Sequence, residues 1–194
     1  MDRSDEDLLA AYVSGDTAAL AVLIERYRRP FYGFVLAMTE ARDDADEIFQ
    51  ETWLRVIRKA HAYRRRNFRG WLFRIGHNVV IDRARARRKT VSLDQALNND
   101  SELTMAETLP DKGHDPADLA QHRELGRTIE GAVRELPPEQ REVFLLRMQG
   151  DVPFKDIARM QKVSINTALA RMQYAVHRLR RHLQEDYARL GAKP

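Results

Sequence analysis

Between Asn67 and Lys89 runs NFRGWLFRIGHNVVIDRARARRK, a segment at once apolar and strongly cationic. At 100° per residue, Leu72, Ile75, Val79 and Ala86 share one helical face, and Arg74, Asn78, Asp82, Arg85 and Lys89 share the opposite one. Such a helix is anchored by its apolar side and presents guanidinium and amide groups outward. The chemistry on offer is recognition: fixed cations attract phosphate, although an ordinary solvated face explains the same pattern. Bond-making chemistry has no comparable candidate. There is no glycine-rich phosphate loop and no nucleophile set beside a base. The six histidines lack cysteines or paired carboxylates at ligand spacing, so no catalytic residue, cofactor or metal site is expected.

A second constellation lies near the end of the chain. PFKDIARMQ reads as a short helix packed through Ile157 and Ala158, Lys162 and Val163 as a tight turn, and Ser164 as the cap of a long last helix. The expected core stripe of that helix is Leu169, Met172, Val176, Leu179 and Leu183, with Thr167, Arg171, Tyr174, Arg178 and Arg181 opposite. This is helix-turn-helix spacing, suited to placing the start of the second helix in a DNA major groove.

The chain has 194 residues, 43% of them apolar and none of them cysteine. It can bury real cores, holds no disulfide and fits a reducing compartment. The acidic N-terminus is no signal peptide, and no run approaches the length of a membrane-spanning helix, so a cytoplasmic protein without membrane insertion is expected. A net charge of +4 conceals alternating blocks. Residues 1–60 carry 8 basic and 12 acidic side chains, 61–90 carry 10 and 1, 91–126 carry 2 and 8, and 127–194 carry 13 and 8. Basic blocks suit nucleic acid; acidic blocks ask for a second kind of partner.

The elements that position these groups all read as helices. Ser4 and Asp7 start a first short helix, Gly15-Asp16 breaks it, and Asp16 or Thr17 caps the next. Pro30 predicts a kink or break. DDADEIFQETWLRVIRKA gives an amphipathic helix with Ala45, Ile48, Phe49, Thr52, Val56 and Ile57 inward. Trp53 and Trp71 are expected in the core. Residues 91–115 show no period and read as a flexible acidic linker. A second helical unit starts near Pro116, and its helix ending RMQG closes at Gly150. The fold class expected is all-α: two small helical domains, 1–90 and 116–194, joined by the acidic linker.

DADEIFQETWLRV, FRGWLFRIGHNVVIDRARARR and LPPEQREVFLLRMQGDVPFKDIARMQKVSINTALARMQYAVHRLRRHL, in this order, resemble three blocks of an extracytoplasmic-function (ECF) sigma factor. The resemblance covers nearly the whole chain. It implies a dissociable RNA polymerase subunit that recognises promoters and promotes transcription initiation, with a region 2-like domain before the linker and a region 4-like domain after it. By resemblance, Asp43, Asp46, Glu47, Gln50 and Glu51 dock on the β′ clamp helices of core polymerase, which also offers its β subunit. The loop Tyr63, Arg64, Arg65, Arg66, Asn67 and Phe68, with Arg74, Asn78, Arg85 and Arg88, faces the minus-ten element. Arginines there hold backbone while aromatic walls receive an unstacked base. Asp82 is expected to pair locally with Asn78 or Arg85. Ser164, Asn166, Thr167, Arg171, Tyr174 and Arg178 face the minus-thirty-five element. The resemblance further implies an anti-sigma partner and a linker near the path of nascent RNA.

Two positions depart from the family pattern: Leu169, where a basic residue is common, and Ala175-Val176, where Ala-Arg is common. No base preference is therefore carried over. The main alternative is a conventional helix-turn-helix regulator that binds DNA without replacing a polymerase subunit. It accounts for the last helices but leaves the acidic helix and the cationic loop without a role.

Overall fold

The computed structural model describes residues 3–39, 42–64, 67–91 and 126–191. The linker beyond residue 91, the helix start near Pro116, Arg65, Arg66 and the Arg88 side chain lie outside the described residues. Among the described residues every regular element is helical: α1 (Asp5–Val13), α2 (Thr17–Met38), α3 (Arg42–Lys59), a 3-10 turn (Ala60–Ala62), α4 (Phe68–Val91), α5 (126–134), α6 (Pro138–Met148), α7 (Phe154–Gln161) and α8 (Ile165–Gly191). They group into two compact units: α1 to α4 with residues 146–153, and residues 126–145 with α7 and α8.

In the first unit the helix starts are chemically specified. Ser4 accepts the Asp7 amide at 3.1 Å, and Asp16, rather than Thr17, accepts the Ala19 amide at 3.3 Å. Gly15, at φ +108°, makes the left-handed turn between α1 and α2. Of the kink or break expected at Pro30, the break is absent: α2 continues as helix through it. Tyr27, Phe31 and Phe34 on its inner side are all buried, and burying them offsets the missing amide and the ring's crowding. Phe31 meets Phe73 edge-on at 5.3 Å, and Phe34 lies 5.0 Å from Phe73. Gly76 makes this approach possible, since a Cβ there would collide with the Phe31 ring.

α3 buries Ala45, Ile48, Thr52, Trp53 and Val56, and the Thr52 hydroxyl donates to the Ile48 carbonyl at 2.7 Å. α4 buries Leu72, Phe73, Ile75, Val79 and Val80, but Ala86 is exposed rather than inward. The expected apolar stripe stops at Val80 because the core ends there.

The second unit closes around Leu136, Val143, Leu145, Ile157 and Ala158. The Arg141 guanidinium donates to the Arg134 and Leu136 carbonyls at 2.5 and 3.1 Å, satisfying the end of α5. Between α7 and α8, the Val163 amide donates to the Ala158 carbonyl at 2.9 Å while Lys162 sits at φ 55°. Ser164 then caps α8, accepting the Thr167 amide at 3.1 Å.

The inward stripe of α8 differs from the expected one. Leu169 and Val176 are both exposed, whereas Ala168, Ala175 and Leu179 are buried, with Met172 and Leu183 half-buried. Both stripes repeat at helical spacing and share Met172, Leu179 and Leu183. Alanine at 168 and 175 permits a close helix approach, and that packing outweighs the greater hydrophobicity of leucine and valine.

Candidate nucleic-acid and polymerase interfaces

α3 turns its acidic residues outward, with Asp43, Asp46, Glu47 and Gln50 exposed and Glu51 half-buried. They are not a bare cluster of like charges. Asp46 accepts from the Tyr32 hydroxyl at 2.7 Å, and Glu47 pairs with Arg83 of α4. Asp44 meets Arg87 at 2.5 Å, and Glu51 accepts from Arg55 Nε at 2.8 Å. Arg55 also reaches Asp82 at 3.2 Å, so Asp82 pairs across to α3 rather than with Asn78 or Arg85. The Glu51 hydrogen bond, more than any other contact, raises the Arg55 guanidinium above its ordinary value. Exposed pairs of this kind contribute about 0–1 kcal/mol each, so a partner with a basic surface can exchange them at small cost.

The described ends of the cationic loop, Tyr63 and Phe68, belong to an aromatic cluster. Tyr63 lies 4.8 Å from Trp71 and 6.3 Å from Phe68, ring centre to ring centre, and Phe68 also packs on Tyr27 at 5.5 Å. Phe68 is only 1% exposed, which corrects its expected place among the minus-ten contacts. It supports the loop from inside because the α1–α2–α4 core needs a large apolar side chain there. Trp53 is buried as expected, while Trp71 is half-buried beside Tyr63. Asn67 caps α4, accepting the Gly70 amide at 2.7 Å. Arg64 donates to the carbonyls of His61 and Tyr63 at 2.8 and 2.9 Å. Asn78 and Arg85 are exposed on the outer side of α4, and Arg74 is half-buried.

α1 braces this loop. Glu6 accepts from the Phe68 amide at 3.1 Å and from the Tyr63 hydroxyl at 3.4 Å, joining both ends of the loop to the first helix. Burial first, and then Glu6, push the Tyr63 phenol up to about 12. Asp5 accepts from Arg26 at 2.5 Å and from the Tyr27 hydroxyl, and burial with this contact raises the Tyr27 phenol as well. Sequence reasoning missed Glu6 because acidic residues in a first helical turn read as capping and dipole chemistry. No spacing rule links residue 6 to residues 63 and 68.

In the second unit, Ser164, Asn166, Thr167 and Tyr174 are exposed, and Arg171 and Arg178 are half-buried. Ser164 spends its oxygen on the cap, and Arg171 donates to Gln161 Oε1 at 2.6 Å. The structure thus brings the acidic residues together on α3, Tyr63, Arg64, Asn67, Arg74, Asn78 and Arg85 together at the start and along α4, and the last set together on the N-terminal half of α8 and its cap.

Two family models match the chain: Sigma-70 region 2 over residues 23–90 and Sigma-70, region 4 over residues 126–183. The ECF RNA polymerase sigma factor SigM of Mycobacterium tuberculosis (strain ATCC 25618 / H37Rv) is 31% identical over 186 residues, covering 94% of this chain and 86% of that protein. The ECF RNA polymerase sigma factor SigW of Bacillus subtilis is 27% identical over 172 residues, 88% of this chain and 92% of that protein. Among solved structures, the sigma factor RpoE in complex with the anti-sigma factor NepR from Bartonella quintana aligns at TM-score 0.60 with 21% identity, over 80% of this chain and 91% of that one. CnrH in complex with the cytosolic domain of CnrY aligns at 0.59 with 22% identity, over 94% and 98%. With this relationship running through both helical units, the chain belongs to the extracytoplasmic-function family of RNA polymerase sigma factors.

Proposed function

We propose a division of labour over this chain. As an ECF sigma factor it binds core RNA polymerase, recognises the minus-ten and minus-thirty-five promoter elements and promotes transcription initiation. Residues 1–90 form the region 2-like domain, 91–115 the acidic linker, and 116–194 the region 4-like domain. Asp43, Asp46, Glu47, Gln50 and Glu51 dock on the β′ clamp helices, exchanging their contacts with Arg83, Tyr32 and Arg55 for a basic partner surface. Tyr63 to Asn67, with Arg74, Asn78, Arg85 and Arg88, hold the displaced minus-ten strand. Asn166, Thr167, Arg171, Tyr174 and Arg178, on a helix start capped by Ser164, grip the duplex upstream.

Polymerisation chemistry belongs to the core enzyme, and this chain supplies recognition alone. It works in the cytoplasm beside the polymerase; no helix among the described residues is long and apolar enough to cross a membrane. Two of the similar structures are complexes with an anti-sigma factor or with a partner's cytosolic domain, which supports a protein inhibitor for this chain too.

The observation that carries this reading is the occurrence of region 2 and region 4 in one chain, in that order, across both helical units. Run-off transcription from a random promoter pool, with core polymerase plus or minus the protein, tests it. Protein-dependent transcripts sharing two spaced elements are expected. No transcripts, together with sequence-specific duplex binding by the protein alone, would make it a conventional regulator.

A further inference from the structure

The outer surface of α8 has two unlike edges. Thr167, Arg171, Tyr174 and Arg178 follow one, and Ile165, Leu169 and Val176 follow the other, with Asn166 and Gln173 between them. Ile165 is 46% exposed, Leu169 39% and Val176 39%, although the same helix buries Ala168 and Ala175 completely. Ile165, Leu169 and Val176 each leave a large part of their apolar surface in water, which their own unit does not remove. Beside a cationic edge, this apolar edge fits a ligand that presents phosphates and apolar groups in fixed register. The major groove of duplex DNA is such a ligand, and its apolar substituent is the thymine C5-methyl group.

We propose that Ile165 and Leu169 read thymine methyl groups in the upstream promoter element, while the arginine edge holds the phosphate backbone. The proposal rests on α8 being the DNA-recognition helix of the region 4-like domain. Ile165 and Leu169 are one helical turn apart in the first turns of α8, the part of a recognition helix that reaches base edges. Val176 stands about 10 Å further along the axis and continues the edge toward the sugar–phosphate backbone. The upstream element is therefore selected by its methyl pattern at this edge, where arginine would select guanine.

The test uses holoenzyme assembled from core polymerase and the full chain, on the element selected from the random pool. Each thymine of the upstream half is replaced singly by deoxyuridine, which removes only the C5-methyl group. At one or two positions, uracil is expected to weaken holoenzyme binding about fourfold per methyl lost. In Leu169→Ala or Ile165→Ala, the matching uracil penalty should vanish while the unfolding midpoint stays put. An upstream element without thymine, or one whose thymines tolerate uracil, overturns the proposal and leaves DNA recognition by α8 standing. A uracil penalty that survives both alanine variants also overturns it, because the methyl is then read by other residues. Loss of all sequence-selective binding removes the sigma-factor reading, and this inference with it.

Discussion

The outward faces of α3 and α8 are opposite in character. On α3, Asp44, Asp46, Glu47 and Glu51 are each engaged by Arg87, Tyr32, Arg83 or Arg55 of the same unit. On α8, Ile165, Leu169, Tyr174 and Val176 stand exposed above an interior lined with alanine. A partner docking on α3 would exchange ion pairs and one tyrosine hydrogen bond that already exist, so binding there would be largely a competition between basic groups. A partner of α8 instead removes apolar surface from water, a gain the isolated unit has not taken. The first surface can be tuned by salt, the second by shape.

The strongest test of this contrast is Glu47→Arg with Glu51→Arg. Core-dependent transcription is expected to fall more than tenfold, and adding Arg83→Glu should restore the melting temperature without restoring transcription. Restored transcription would mean that the internal pair, and not the docking surface, is what matters. Next come the cores. Leu179→Ala should cost the second unit about 2–4 kcal/mol, and Gly76→Ala should cost the first about 1–3 kcal/mol through the Phe31 ring. Hydrogen exchange resolves which helices loosen in each variant.

Glu6→Ala removes two acceptor contacts from the loop ends and should cost about 1–2 kcal/mol. It should weaken minus-ten single-strand binding more than core binding, and Glu6→Gln, which keeps an acceptor oxygen, should recover part of the loss. The Tyr63 phenol titrates higher in the folded protein than in the unfolded chain. Its contribution is thus fully present below the ordinary value near 10 and is lost as pH rises toward about 12. Tyr63→Phe should flatten that alkaline decline in thermal melts. Smallest of all, Leu169→Ala should change stability by no more than about 0.5 kcal/mol, since Leu169 lies outside the core.

The all-helical class, the caps at Ser4 and Ser164, the inward face of α4 as far as Val80 and the helix-turn-helix around Ile157, Ala158 and Lys162 were legible in the sequence alone, which left Asp16 and Thr17 both open as the cap of α2. These follow from local chemistry: a side chain within three residues of an amide, or apolar residues repeating at 3.6. Tertiary structure decided the rest. Pro30 sits in an unbroken helix because Tyr27, Phe31 and Phe34 bury on one side of it. Phe68 is core, not base wall, because the space beside Tyr27 and Trp71 required a ring. Glu6 meets residues 63 and 68, and Arg83 meets Glu47, across separations that no periodicity encodes. On α8 two stripes of equal helical spacing competed, and only the packing distance to its neighbours could choose alanine for the inside and leave leucine and valine facing out.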